Sequence, residues 1–451
     1  MALSGGSHES FSSRFAFLMA SVGFAVGLGN IWRFPYVAGE NGGSAFVMVY
    51  LACAFGIGVP ILLAELFIGR RGKMSPPLSV RNIATSEGQH KGWQLVGHMG
   101  LLAAYTIEIV YAGVVGWVLW YLFKAITTGF AGVDSAVAEA QFEAVLADPV
   151  GMVGWTLAGL GITGFIIYSG VQGGIEKAVK VLMPTLFVLL AGLALYNVFA
   201  GGMKEALVWL FEPDFSKITP GVFLVAIGQA FFSIGVAMGG MMTFGAYLPR
   251  EISIPRSVVI IVFADTMVAI LAGLVIFPAV FNNGLDPDAG AGLIFETLPV
   301  AFAQMPGGWF FSVMFFTLLS VASITSMVGL IECVTAWMED HHGFARHKSA
   351  LAVVGSVAVL SVFSILSYNV LSELQMFGRD LNGVLDYFSN QILLPLGGLL
   401  IAVFVGWFVS TRVTAEELAF ESETLFKIWH FLLRYLVPPA VAIIFFFGVT
   451  E

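Results

Sequence analysis

The sequence predicts an all-α polytopic membrane protein of about eleven transmembrane helices, arranged as a 5+5 inverted repeat with broken helices 1 and 6. Three observations carry this expectation. Of the 451 residues, 58% are hydrophobic and 11% charged, with a mean hydropathy of +0.91, which places the chain among multi-span membrane proteins. Apolar runs of about 18 residues or more, enough to cross a bilayer, recur along its whole length. Two of those runs are interrupted by residues that an unbroken spanning helix avoids.

Taken in order, the runs lie at 13–38, 42–69, 94–124, 151–169, 175–200, 219–247, 254–282, 308–337, 349–370, 384–411 and 428–449. They form a single membrane domain over 1–451, with helices 1 to 5 in 13–200, helices 6 to 10 in 219–411 and helix 11 as an addition. The basic residues orient it. With the N-terminus inside, fourteen lysines and arginines, among them Arg14, Arg70, Arg71, Arg250 and Arg346, fall on the cytoplasmic side. Lys124, Lys204, Lys217 and Arg379 are the four that fall outside. A polar N-terminus leading into a full-length span lacks the pattern of a removable signal peptide. A net charge of −9 without a basic stripe excludes nucleic acid as a partner. Cys53 and Cys333 both sit in apolar runs and signal neither a disulfide framework nor a metal site.

The first break is Gly-Phe-Ala-Val-Gly-Leu-Gly-Asn-Ile-Trp-Arg-Phe-Pro-Tyr-Val-Ala-Gly-Glu-Asn, from Gly23 to Asn41. The second is Gln-Ala-Phe-Phe-Ser-Ile-Gly-Val-Ala-Met-Gly-Gly, from Gln229 to Gly240. Unpaired backbone groups survive in hydrocarbon only where they line a cavity or meet a ligand. A half-helix N-terminus offers N–H groups to an anion, and a half-helix C-terminus with unwound carbonyls suits a small cation. Such a pair fits a zwitterion beside a cation. Glycines in one span alone would more simply allow close helix packing, but two matched breaks, one with Asn30 and one with Ser233, favour a binding site.

Ionisable residues within spans are costly and therefore informative. Here they are Glu65, Glu108, Asp265 and Asp386, with Arg33. Asp265 is expected at an ion. Glu65 is expected to accept N–H groups of the broken first helix. Arg33 with Asp386 reads either as a structural ion pair or as an outer gate, and Glu108 has no evident partner. The hydroxyl run Ser320-Val-Ala-Ser-Ile-Thr-Ser326 can complete an oxygen cage for a hard cation or bond helix to helix. His341, His342 and His347 read as part of a solvated loop. Pro184, ten residues after Gly174, marks either an end of the fifth span that opens or a passive kink. Residues 285–307 read as an outer loop folded back as a lid or plug. Asp265 and Asp386 lack a Gly-x-Gly-Asp signature and neither follows a tyrosine, so an intramembrane protease, and with it an enzyme, is set aside. A channel or an amino-acid sensor remains the rival reading.

The run from Gly23 to Tyr36, Glu40-Asn-Gly-Gly-Ser-Ala-Phe46 and Gly228-Gln-Ala-Phe-Phe-Ser-Ile-Gly235 resemble the neurotransmitter:sodium symporters, and eleven spans resemble the bacterial branch. The resemblance implies sodium-coupled uptake of hydrophobic L-amino acids by alternating access, in the inner (cytoplasmic) membrane. It implies two sodium ions: the first at Ala25, Asn30, Ser233 and Asp265, the second at Gly23, Val26, Ala322, Thr325 and Ser326. An asparagine is common where Asp265 stands, and the carboxylate implies that no chloride is needed. The substrate carboxylate would meet the N–H groups of Leu28 and Gly29 and the hydroxyl of Tyr111. Its ammonium would meet the carbonyls of Ala25, Phe232, Ser233 and Gly235. The pocket for its side chain would be lined by Ile107, Phe232, Met238, Ser323 and Leu330, with Gly235 leaving room for substrates from leucine to tryptophan. Gly27, where amine transporters of the family carry aspartate, leaves space for a substrate carboxylate. Arg33 with Asp386 would close the outer side. Arg14 with Asp340 is the inner candidate, although Phe11 and His8 replace the family's usual tryptophan and arginine.

Overall fold

The computed structural model describes residues 9–287, 290 and 292–450; His8 lies outside them. Among the described residues the structure is helical, without strands beyond one isolated bridge between Met376 and Arg379. Among the described residues, nine helices are long and apolar enough to cross a membrane. They are Ser44–Gly72, Lys91–Thr127, Pro149–Tyr168, Val171–Ala200, Ile254–Asn282, Gly308–His342, Arg346–Leu366, Leu381–Phe408 and Glu423–Val449. The first span is a bent pair, Arg14–Ala25 and Gly29–Glu40, at 49°. The sixth is split into Pro220–Ile234 and Gly240–Ala246. Nine continuous spans and two broken ones correspond to the eleven apolar runs, and each break opens a group of five.

Burial sorts the spans. In the most apolar stretch of Gly308–His342 89% of residues are buried, against 22% for Glu423–Val449, so the eighth span is central and the eleventh presents itself to lipid. The third span packs along the eighth, and both broken helices lie against the eighth and the seventh. This places both breaks at the middle of the protein.

Each break has a local cause. The first helix ends at Ala25 because Val26 takes extended angles (φ −76°, ψ 101°). It resumes at Gly29, after three residues that make no continuous helical ladder. In the sixth span Gly235, Ala237 and Gly239 all have positive φ, at 73°, 65° and 73°. Glycine takes that region freely, but alanine does so at a cost of roughly 1 kcal/mol. The strained residue is held from outside: the Ala237 N–H donates to Glu65 Oε1 at 3.1 Å. Glu65 thus supports the broken sixth helix, not the first as the sequence suggested, because the second span packs closely against Gly240–Ala246.

In the fifth span the irregularity is a wide turn at Val171–Ile175, and Pro184 is carried inside the continuous helix Glu176–Ala200. The loop at 285–307 lies partly outside the described residues; its described part at 292–307 folds back as a short helix, Leu298–Gln304, preceded by a turn at Leu293–Thr297 whose Leu293, Ile294 and Phe295 are buried. Phe295 meets the rings of Trp32, Trp117 and Tyr121, which anchors the loop to the first and third spans. Burial, then the nearby charges of Glu139 and Glu143, hold the Glu296 carboxyl above its usual range.

Candidate functional site

The two breaks are tied together by side chains. Gln229 Nε2 donates to the Gly29 carbonyl at 2.7 Å, and Asn30 Nδ2 donates to Ser233 Oγ at 2.9 Å. Asn30 Nδ2 also reaches Asp265 Oδ1 at 2.6 Å, while Ser233 Oγ lies 3.1 and 3.0 Å from the two Asp265 oxygens. The Tyr50 hydroxyl stands 3.4 Å from both Ser233 Oγ and Asp265 Oδ2. Asn30 and Asp265 are fully buried, and Ser233 is nearly so. Among the described residues the Asp265 carboxyl meets only neutral donors, Asn30, Ser233 and Tyr50, with no lysine or arginine in contact. The oxygens of Asp265, Ser233 and Tyr50 are the donor chemistry that a hard monovalent cation requires; the Asn30 oxygen expected among them instead accepts from the Gly27 N–H at 3.1 Å, with its NH2 turned to the cluster. Sequence reasoning missed Tyr50 and Gln229; a tyrosine or glutamine inside an apolar run was the only available signal.

A second oxygen cluster forms where the first helix meets the eighth span. Ser326 Oγ lies 3.4, 3.2 and 3.5 Å from the carbonyl oxygens of Gly23, Phe24 and Val26. Thr325 Oγ1 bonds back to the Val321 and Ala322 carbonyls, both at 3.0 Å. Gly23 is where the helices touch, since a methyl group there would stand 3.2 Å from Thr325 Cβ. The residues expected at the second sodium therefore converge, with Phe24 supplying an additional carbonyl.

Between the clusters lies a cavity of about 30 Å³. It is lined by Ala25, Leu28 and Gly29 of the first span, Ile107 and Tyr111 of the third, Phe232, Gly235 and Met238 of the sixth, and Leu330 of the eighth. The Leu28 N–H donates to the Tyr111 hydroxyl at 3.3 Å, so the two groups expected at the substrate carboxylate meet each other here. One residue expected in the side-chain pocket is not on its lining: Ser323 donates to the Leu319 carbonyl at 2.6 Å along its own helix. Gly27, expected to leave space for a substrate carboxylate, is on the lining, and two residues not expected there join it: Phe24 and Ser326. The room expected at Gly235 is not open, because a methyl group there would stand 2.9 Å from the Phe24 ring.

Above this cavity opens a vestibule of about 430 Å³, sharing Leu28, Ile107, Tyr111 and Phe232 with it. Arg33 and Asp386 both line the vestibule but form no ion pair. The Arg33 guanidinium lies over the Phe232 ring at 5.0 Å, and Asp386 accepts from Asn390 at 2.6 Å. On this side the site is open.

The opposite side is closed, though not by the expected pair. Arg14 is exposed and makes no ion pair with Asp340, which accepts from the Ser75 N–H at 2.5 Å. The closure is built on Glu332, fully buried on the eighth span. Arg346 pairs with it through two nitrogens, at 2.9 and 2.6 Å, and the Tyr247 hydroxyl donates to it at 2.7 Å. Phe11 covers this group: its N–H donates to the Tyr247 carbonyl at 3.1 Å, and its ring packs on Phe244 and Tyr247. Replacing Arg346 by alanine strands a buried carboxylate and is expected to lower stability by about 3–5 kcal/mol. Thermal unfolding in detergent measures this; an unchanged midpoint would show that Arg346 does not hold the closed side.

Two broken helices clasped around paired oxygen clusters, open to one side and shut on the other, define a membrane carrier with a central binding site. The Sodium:neurotransmitter symporter family model matches residues 8–141 and 141–451. A protein of Haemophilus influenzae, named an uncharacterized sodium-dependent transporter, is 33% identical over 444 residues, covering 97% of each chain. The sodium-dependent transporter YhdH of Bacillus subtilis is 34% identical over 438 residues, covering 96% of each. Among solved structures, MhsT in complex with L-phenylalanine superposes with a TM-score of 0.90 at 39% identity, covering 97% of this chain and 99% of that one. The chain belongs to the sodium:neurotransmitter symporter family.

Proposed function

We propose that the protein is a sodium-coupled symporter of hydrophobic L-amino acids working by alternating access in the inner membrane, with its N-terminus cytoplasmic and no requirement for chloride. The single observation that carries this is the Asp265 carboxylate, buried among Asn30, Ser233 and Tyr50 without a basic partner, at the junction of both breaks. It supplies the negative charge that favours a cation there and makes a bound anion unnecessary.

In this reading the first sodium takes the Ala25 carbonyl, Asn30, Ser233 and Asp265. The second takes the carbonyls of Gly23, Val26 and Ala322 with Thr325 and Ser326. The substrate carboxylate sits at the Leu28 N–H and the Tyr111 hydroxyl, and the ammonium at the carbonyls of the sixth-span break. MhsT was solved with L-phenylalanine, which supports a zwitterionic amino acid with an apolar side chain. A cavity of about 30 Å³ must widen to take one, and Met238, unbranched and adaptable, is the lining residue best able to give way. Closing Arg33 onto Asp386 over Phe232 then occludes the site, and separating Tyr247, Glu332 and Arg346 opens the other side. Two sodium ions entering with one zwitterion at 100 mV supply about 4.6 kcal/mol, roughly a thousand-fold accumulation.

Binding of labelled leucine to the detergent-solubilised protein tests this. Affinity is expected to rise with sodium in chloride-free gluconate medium, and Ser326→Ala to shift the sodium requirement upward. Binding indifferent to sodium would refute it.

A further inference from the structure

None of the contacts described so far uses Glu108. Its side chain is 1% exposed, and neither carboxyl oxygen has a hydrogen-bond partner. Burying a carboxyl with nothing to bond is costly, and within a membrane span such a group is a candidate for ligand contact. Along the third span Thr106, Ile107, Val110, Tyr111, Val114 and Trp117 line the vestibule, and Ile107 and Tyr111 also line the smaller cavity, whereas Glu108, next to Ile107, lines neither. Glu108 and Tyr111 stand at i and i+3 and project from one helix face. The carboxyl is within electrostatic reach of the Tyr111 hydroxyl and of the Cys333 thiol on the eighth span. Cys333 does not supply the missing donor, because its thiol is turned to the Leu330 carbonyl at 3.1 Å. Glu108 therefore lies directly behind the wall that Ile107 and Tyr111 give the substrate cavity, on the side of the eighth span.

Another side of that cavity is shut by Phe24. A methyl group at Gly235 would lie 2.9 Å from its ring, one at Gly240 2.5 Å, and one at Gly329 would overlap it. A substrate side chain longer than the cavity is stopped at Phe24 and must displace other parts of the lining, of which Ile107 and Tyr111 adjoin Glu108 along the third span.

We propose that Glu108 is a specificity-determining acceptor for the distal end of the substrate side chain. It selects aromatic amino acids that carry an O–H or N–H donor there, a phenol or an indole, over their hydrocarbon counterparts. A carboxyl retains acceptor capacity with or without its proton, so the contact does not depend on ionisation. This rests on the amino-acid reading above.

The experiment is sodium-dependent binding of leucine, phenylalanine and tyrosine to the full chain, as wild type, Glu108→Ala and Glu108→Gln. Tyrosine is expected to bind about tenfold more tightly than phenylalanine to the wild type. Glu108→Ala is expected to level the two while leucine binding stays within about threefold, and Glu108→Gln, with one acceptor oxygen, to keep part of the preference. Equal wild-type affinities for tyrosine and phenylalanine, or a preference that survives Glu108→Ala, would overturn the proposal. Sodium-dependent leucine binding separates the two levels: its absence in the wild type overturns the amino-acid reading and this inference with it.

Discussion

Asp265→Ala is expected to weaken sodium-dependent amino-acid binding by at least about a hundredfold. The substitution removes the charge that the sodium proposal requires, and it takes the carboxyl partner from the Ser233 and Tyr50 hydroxyls, while the Asn30 amide keeps the Ser233 hydroxyl and the backbone carbonyl of residue 265. Breaking such a buried cluster costs about 3–5 kcal/mol, and about 1.4 kcal/mol is tenfold in affinity. Asp265→Asn separates charge from shape. It keeps the size of the side chain but not its charge, so binding is expected to become dependent on added chloride, while the wild type stays indifferent. Radioligand binding in chloride and in gluconate reads both effects. An Asp265→Asn protein that binds equally well in either medium would show that the carboxylate is not acting as a fixed anion.

Gly27→Ala is the second large effect. A methyl group there would overlap Ser326 Oγ and stand 3.1 Å from the Tyr111 hydroxyl. One carbon would thus displace a group assigned to the second sodium and crowd one assigned to the substrate carboxylate. Overpacking of this kind costs about 1–3 kcal/mol, so a loss of roughly tenfold to a hundredfold in both sodium and substrate affinity is expected. Gly154→Ala is the control, because a methyl group there meets nothing within 4 Å; it is expected to change binding negligibly. Similar binding by both variants would mean that Ser326 and Tyr111 are not where the ligands sit.

The sequence made the breaks legible because glycine, asparagine and proline inside apolar runs contradict the helix that hydropathy demands. Asp265 was legible for the same reason, being a charge where charge is expensive. What stayed hidden depends on which helices touch. Glu65 was visible as a buried acid, but only the packing of the second span against Gly240–Ala246 shows that it holds Ala237. Phe24 looked like one more apolar residue until Gly235, Gly240 and Gly329, from two other spans, were seen to converge on its ring. The closed side was misjudged on similar grounds. Arg14 and Asp340 were chosen by the family's pattern, whereas Tyr247, Glu332 and Arg346 are brought together only by the fold.

The most direct measurement is uptake of labelled leucine into proteoliposomes under an imposed inward sodium gradient, with and without chloride. Accumulation above the external concentration, abolished when the sodium gradient is collapsed and unchanged when chloride is removed, is the expected result. Sodium-dependent binding without accumulation would indicate a sensor, downhill flux without saturation a channel, and uptake unaffected by sodium would contradict the assignment of Asp265 and Ser326 to sodium.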